Sequence, residues 1–241
     1  MPTINIWAAC TGARVIPTLR DARLRSSSLS YPSGDTTGQA GWDLGMQFTN
    51  LMDLSTKLTT GTSIHSGFCG NWFEDCGTIT HGQINRFALH THGLPGEVYW
   101  NGSINPVTAD NVFAHHSLLH QIGLFTNSSS IIFLMACLAG RGENGTRLLT
   151  NLSSIWPNRR IVGFSTVGYI HPGSMMPRGE HLIEPGMRDT NASALLFADP
   201  TQFDRQWSDF AAMPWASETS PHAKVVVNRR VIKWPVDELS Q

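Results

Sequence analysis

Six consecutive apolar residues, Ile131 to Ala136, end at Cys137 and give way at once to the loop sequence "CLAGRGENG". This run constrains the fold more than any other stretch. A strand with one wet face alternates apolar and polar residues, whereas a strand covered on both faces is apolar throughout. Six residues are too few for a core helix and far below the roughly 20 that a membrane helix needs. The neighbouring segments fix the context. "ADNVFAHHSLLHQIGLF", 109–125, has helical spacing and Thr108 as its cap; "NGTRLLTNLSSIW", 144–156, reads as a second helix closed by Pro157. "INRFALHTHG", 84–93, reads as a strand that stops at Gly93, and "RRIVGFSTVGY", 159–169, as another. Strand, helix, strand, helix, strand in that order predicts an α/β chain whose central sheet is mainly parallel.

The flanks are read with the same rules. Ile4 to Ala9 forms a first strand, followed to about Ala40 by a loop rich in Ser, Gly and Arg. Leu44, Phe48, Leu51, Leu54 and Leu58 recur at helical spacing, which predicts one helix over 42–58. The stretch 59–82 reads as loops or a short hairpin. "EVYWNGS", 97–103, predicts a hairpin turning at Asn-Gly. A long loop carrying Pro172, Pro177 and Pro185 leads to a helix near 190–212, and "AKVVVNRRVIKWP", 223–235, to a terminal hairpin. No internal repeat is visible, so the expectation is a single domain over 1–241.

Composition excludes several function classes. The 241 residues carry 17 Lys plus Arg against 18 Asp plus Glu, a formal charge of −1 that favours neither nucleic acid nor an anionic membrane as partner. Apolar residues make up 41% and charged residues 15%, which suits a packed core rather than disorder. The start, "MPTINIWAAC", has no basic region ahead of its apolar stretch, so no secretory leader is expected and the chain is read as cytoplasmic. The cysteines at 10, 69, 76 and 137 follow no metal-finger spacing. Cys69 and Cys76 can pair in an oxidising setting, but a cytosolic chain keeps all its thiols reduced. The Asn-X-Ser/Thr triplets starting at Asn101, Asn127, Asn144, Asn151 and Asn191 are then turn chemistry rather than glycan sites.

Parallel sheets bind ligands beyond the carboxyl ends of their strands. His92 and Cys137 both fall at that end, and the 45 positions between them leave room for one crossover helix. If the two strands are neighbours, the side chains meet without sequence proximity. An imidazole near a thiol generates the nucleophilic thiolate, and the N–H groups of Gly93 and Cys137 are placed to hold an oxyanion. Acyl transfer from a peptide is the reaction class such a set serves.

"FALHTHGLPG" and "IIFLMACLAGRGENG" resemble the two signature blocks of the caspase-like cysteine peptidases, the group of caspases, metacaspases, separase, clostripain and gingipain. In that group one apolar strand ends in His-Gly, and a second, after a crossover, ends in Ala-Cys or Gly-Cys. The chain also resembles bacterial caspase-like domains, through His92, Gly93, Pro95 and Gly96 and then Cys137, Gly140, Glu143, Asn144 and Gly145. The resemblance spans about residues 84–170. It implies a three-layer α/β/α sandwich and a Cys137–His92 dyad, with Gly93 and Cys137 as oxyanion donors. The implied activity is a cysteine endopeptidase in regulated proteolysis in a bacterium. The partner is a protein or peptide substrate, with room for an activating partner protein, and no cofactor or metal is expected. Met135 stands where several relatives line the primary specificity pocket. Caspases have Gln there and metacaspases Asp, so an apolar or small residue before the cut is the expectation. The strand after the cysteine forms a pocket wall in the group; here it ends at Phe164, Ser165 and Thr166.

Each singled-out residue also has a plainer reading. Cys10 ends "INIWAAC" as Cys137 ends "IIFLMAC", yet it precedes the histidine and has no counterpart in the group, so it is read as structural. His81 lacks an apolar strand before it and is read as a loop residue. His90 shares its strand face with His92. His115, His116 and His120 are read as a solvated helix face. They nevertheless frame an alternative, a metal-dependent hydrolase using His90, His92 and this cluster, which lacks an acidic ligand at a matching spacing. Glu143 suits the first turn of a helix. A second alternative is an inactive caspase-like binding module, disfavoured by the presence of both dyad residues.

Overall fold

The computed structural model describes residues 3–10, 44–60, 79–102, 104–166, 168–171, 194–197 and 218–239. One seven-stranded sheet runs through it. Its strands are β1 (Ile4–Cys10), β2 (Leu44–Phe48), β3 (Ile84–His90), β7 (Thr126–Met135), β8 (Arg160–Phe164), β11 (Ala223–Val227) and β12 (Arg230–Lys233). Across the sheet they lie in the order β2, β1, β3, β7, β8, β11, β12. The first five are mutually parallel, and β11 and β12 close one side as an antiparallel pair. The chain is therefore α/β with a mainly parallel sheet. The apolar run that predicted a doubly covered strand is buried from Ile132 to Ala136.

Three helices of eight residues or more are described: α1 (Leu51–Thr60), α2 (His116–Leu124) and α3 (Gly142–Ile155). The steps β2 to β3, β3 to β7 and β7 to β8 all cross the sheet in one direction. Right-handed crossovers then put the three helices on the same face, and they do pack side by side, α1 on α2 and α2 on α3. Trp156, fully buried, pins this layer: its Nε1 donates to the Leu119 carbonyl at 2.6 Å. The opposite step, β1 to β2, is made by residues outside the described set, so the helices among the described residues form one layer on one face of the sheet.

Several boundaries differ from expectation. The predicted helix over 42–58 is two elements. Leu44–Phe48 pairs in parallel with β1, where the sheet edge supplies backbone partners that outweigh helical spacing. The helix starts only after Asn50, whose Oδ1 accepts from the Asp53 N–H at 2.9 Å while the Asp53 carboxylate accepts from the Thr49 N–H at 2.8 Å. The predicted helix over 109–125 begins as a 3-10 turn, Val112–His115, because Thr108 Oγ1 accepts from the N–H groups of Asp110 and Asn111 and forms a turn ahead of the helix. The strand expected at 131–136 begins five residues earlier; the register slips between Ile84 and Arg86, and Ser130 Oγ bonds the Ile84 carbonyl at 2.6 Å. The strand expected over 159–169 splits into β8 and β9 (Gly168–His171). Within the predicted helix near 190–212, Ala194–Phe197 is a strand, β10, paired antiparallel with β9; the remainder lies outside the described residues. So do Cys69, Cys76 and the loop at 172–189.

Candidate active site at the carboxyl edge of the sheet

Five parallel strands end at one sheet edge, and the antiparallel β11 starts there, with Ala223 opposite Phe164. His90 and Met135 are register partners on the adjacent strands β3 and β7, and the Thr91 N–H extends the pairing to the Met135 carbonyl at 3.1 Å. His92 and Cys137 therefore leave neighbouring strands at the same level. Sequence alone offered this neighbourhood as a condition; the sheet order supplies it.

Gly93 shows how close the two segments lie. A Cβ placed there would stand 2.6 Å from the Cys137 carbonyl oxygen, 2.8 Å from Ala136 Cβ and 3.0 Å from the Glu97 carbonyl oxygen. Only a residue without a side chain lets the strand after the histidine touch the cysteine turn. Gly93–Leu94 (β4) pairs with Glu97–Val98 (β5), and β5 with Val107–Thr108 (β6), in a small antiparallel ribbon. The Tyr99 N–H donates to the His92 carbonyl at 3.1 Å. That bond makes Gly93–Val98 the non-hydrogen-bonded pair, so the Gly93 N–H points away from β5. The ribbon turns first at Pro95-Gly96, between β4 and β5, and the Asn101-Gly102 turn expected from sequence lies in the longer connection from β5 to β6. At Gly96, φ is +75° and a Cβ would meet the Asn144 backbone carbon at 2.6 Å. The His-Gly-x-Pro-Gly block thus abuts the Cys…Glu-Asn-Gly block at both of its glycines.

The Cys137 turn is held from β8. Leu138, in the left-handed region at φ +59°, donates its N–H to the Thr166 carbonyl at 2.9 Å, and the Gly140 N–H donates to the Phe164 carbonyl at 2.9 Å. Arg141 then donates back to the Leu138 carbonyl at 2.8 Å and α3 begins. Cys137 is half-buried, at the head of this turn. Cys10 is different: it closes β1 inside the core at 2% exposure, its Sγ 3.4 Å from the Tyr99 carbonyl oxygen. His92 is half-buried as well, and Thr91 Oγ1 anchors its neighbour by donating to the Tyr99 carbonyl at 2.9 Å. Partial burial, then the charge and hydrogen bond of Glu97, push the Tyr99 phenol up, so it stays a proton donor beside this ribbon.

The predicted substrate wall is buried. Met135 and Ser165 are 1% exposed and Thr166 is 7% exposed. Ser165 Oγ lies 2.7 Å from Asp237 Oδ1, and its N–H donates to the His222 carbonyl at 3.0 Å. Sequence reading missed Asp237, Glu238, His222 and Lys224, which gather at this edge. Lys224, inside the apolar run "AKVVV", was the one visible signal, since a lysine in a covered strand needs a buried partner. Its partner's position was not readable.

The histidines do not assemble. His90 is buried in β3, whereas His116 and His120 are exposed on α2, stacked at 5.9 Å between ring centroids. Among the described residues no three His, Cys, Asp or Glu side chains form a metal-ligand group. His81 sits in a turn against Phe125 with ring centroids 4.8 Å apart, and Glu143 is exposed in the first turn of α3. No helix among the described residues is long and apolar enough to cross a membrane.

No family model matches the chain, and no curated protein matches it by sequence. Among solved structures, caspase-1 from Spodoptera frugiperda is similar at 16% identity and a TM-score of 0.33, over 69% of this chain and 62% of that one. Octopine dehydrogenase in complex with NADH and agmatine is similar at 11% identity and a TM-score of 0.30, over 69% of this chain and 36% of the dehydrogenase. The chain thus spans less than two thirds of either protein, and likenesses this slight favour neither a peptidase nor a dehydrogenase.

Proposed function

We propose that the chain is a cysteine endopeptidase with a caspase-like sandwich fold, in which Cys137 is the nucleophile and His92 the general base and acid. One observation carries the reading: the carboxyl ends of two adjacent parallel strands bring His92-Gly93 onto the Cys137 turn, with Gly93 in van der Waals contact with the cysteine's own backbone. In this reading the Cys137 thiol passes its proton to His92, and the thiolate attacks the scissile carbonyl carbon. The carbonyl oxygen takes the negative charge and is held by the N–H groups of Gly93 and Cys137. Collapse breaks the C–N bond, and His92 returns the proton to the leaving amine. Water, deprotonated by His92, then attacks the thioester, releasing the acid and restoring the thiol. Met135, Ser165 and Thr166 form the floor of the substrate site rather than its rim, since all three are buried.

The test compares Cys137→Ala with Cys10→Ala in peptide-cleavage and self-cleavage assays. Loss of cleavage in Cys137→Ala, with Cys10→Ala still active, is expected. The reverse result overturns the assignment.

A further inference from the structure

The turn that carries Cys137 is gripped from the far end of the chain. Its last residue, Gly142, has φ +64° and opens α3, and the cap residue Arg141 makes no side-chain capping bond. The missing cap comes from 96 residues away: the Gly142 N–H donates to Glu238 Oε1 at 2.8 Å. The Gly142 carbonyl accepts from Lys224 Nζ at 3.2 Å, and Lys224 also donates to Thr146 Oγ1 at 2.8 Å. Lys224 and Glu238 are themselves an ion pair at 2.6 Å, with side chains 0% and 9% exposed, and Trp234 covers the ammonium at 4.9 Å. The two members of one buried ion pair thus hold the N–H and the C=O of a single residue.

The adjacent Asp237 reaches the other loop of the same edge. Its Oδ1 takes the Ser165 hydroxyl at 2.7 Å and lies 3.5 Å from His222 Nδ1. The Val236 N–H ties the segment to the Pro221 carbonyl at 2.8 Å. Consecutive acidic residues therefore fix the loops that follow β7 and β8, the two strands whose ends flank Cys137. A short 3-10 turn, Val236–Glu238, aims them at separate targets. The same turn is also held by two backbone bonds, from the Leu138 N–H to the Thr166 carbonyl and from the Gly140 N–H to the Phe164 carbonyl.

We propose that Glu238, with Asp237 beside it, is a positioning residue for Cys137: the C-terminal turn braces the nucleophile's loop through Gly142 and Ser165. The proposal rests on the reading of Cys137 as nucleophile, and it gives the C-terminal segment control over activity. Anything that removes or displaces residues 236–239 loosens the turn.

Glu238→Ala and Glu238→Gln make a matched pair. Both leave Lys224 without its counter-charge and lose similar global stability, but only Glu238→Gln keeps an oxygen that accepts the Gly142 N–H. The expected result for Glu238→Ala is a kcat about tenfold or more below that of Glu238→Gln, with KM within about twofold. Amide exchange should quicken at Gly142 and its turn only in Glu238→Ala. If either single variant does not fold, the same comparison is made between Lys224→Met/Glu238→Ala and Lys224→Met/Glu238→Gln, which carry no unpaired charge. Equal kcat and equal Gly142 exchange in the matched pair overturn the brace. The iodoacetamide alkylation rate of Cys137 separates the two claims. If the wild-type chain cleaves no peptide, yet this rate and Gly142 exchange differ several-fold between the matched variants, the brace stands and the peptidase reading falls. If wild-type cleavage is robust and the matched variants agree in every readout, the brace falls and the peptidase reading stands.

Discussion

Gly93→Ala adds one methyl group at the point where the two blocks meet. Its Cβ would lie 2.6 Å from the Cys137 carbonyl oxygen, whereas ordinary contact begins at 3.4 Å. Relief requires about 0.8 Å of separation between the ribbon and the cysteine turn. Neither side yields easily, since Ala136 Cβ at 2.8 Å and the Glu97 carbonyl at 3.0 Å block the alternatives. Overpacking of this kind costs about 1–3 kcal/mol. For a chain of this size that lowers Tm by about 2–4 °C per kcal/mol. The catalytic effect is expected to exceed the loss of stability, because a misplacement near 1 Å lowers a rate by as much as about 100-fold. Thermal unfolding, peptide cleavage and Cys137 alkylation are measured together, with Gly82→Ala as the control. Gly82 has φ +75° but open space around its Cβ, so that change costs about 1 kcal/mol in backbone strain and leaves Cys137 untouched. A Gly93→Ala protein with wild-type Tm and wild-type alkylation would refute the contact argument.

Four further outcomes are expected. Cys10→Ala removes one buried atom that faces the Tyr99 carbonyl and lowers stability by about 1 kcal/mol in urea unfolding, with no loss of cleavage. Lys224→Ala leaves the Glu238 carboxylate buried and unpaired, a loss of about 3–5 kcal/mol; Arg147→Ala, which breaks the exposed pair with Asp110, changes the same measurement by less than about 1 kcal/mol. Trp156→Phe gives up the bond to the Leu119 carbonyl and part of a filled core site, which lowers the unfolding free energy by about 1–3 kcal/mol. Leu138→Val forces a β-branched residue to φ +59° and destabilises more than Leu138→Gly, which stays within about 1 kcal/mol of the parent.

What was legible in the sequence was whatever depends on local pattern. The continuous apolar run at Ile131–Ala136 required a covered strand, and its alternation with helical segments required parallel pairing. The segments 84–93, 144–156 and 223–235 carried period, caps and turn residues that agreed with one another. Where the local signal conflicted with pairing, the signal misled. Leu44 and Phe48 sit at helical spacing but form the sheet edge beside β1. Asn127 to Ser130 fall outside both the expected helix and the expected strand, yet they extend β7, with the Asn127 and Ser130 side chains bonding the Ile84 carbonyl.

At the site, the sequence by itself determined which chemistry was available: a strand-end His-Gly, a strand-end Ala-Cys and one crossover between them. It also separated Cys137 from Cys10 by chain order. Only the tertiary structure decided that β3 and β7 are neighbours, that Gly93 touches the Cys137 backbone, and that Gly96 abuts Asn144. It alone brought Asp237 and Glu238 to loops 72 and 96 residues away. The physical reason is that strand identity is set by local burial and propensity, whereas strand order and buried ion-pair partners are set by long-range closure of the sheet. No short window of sequence contains both ends of such a contact.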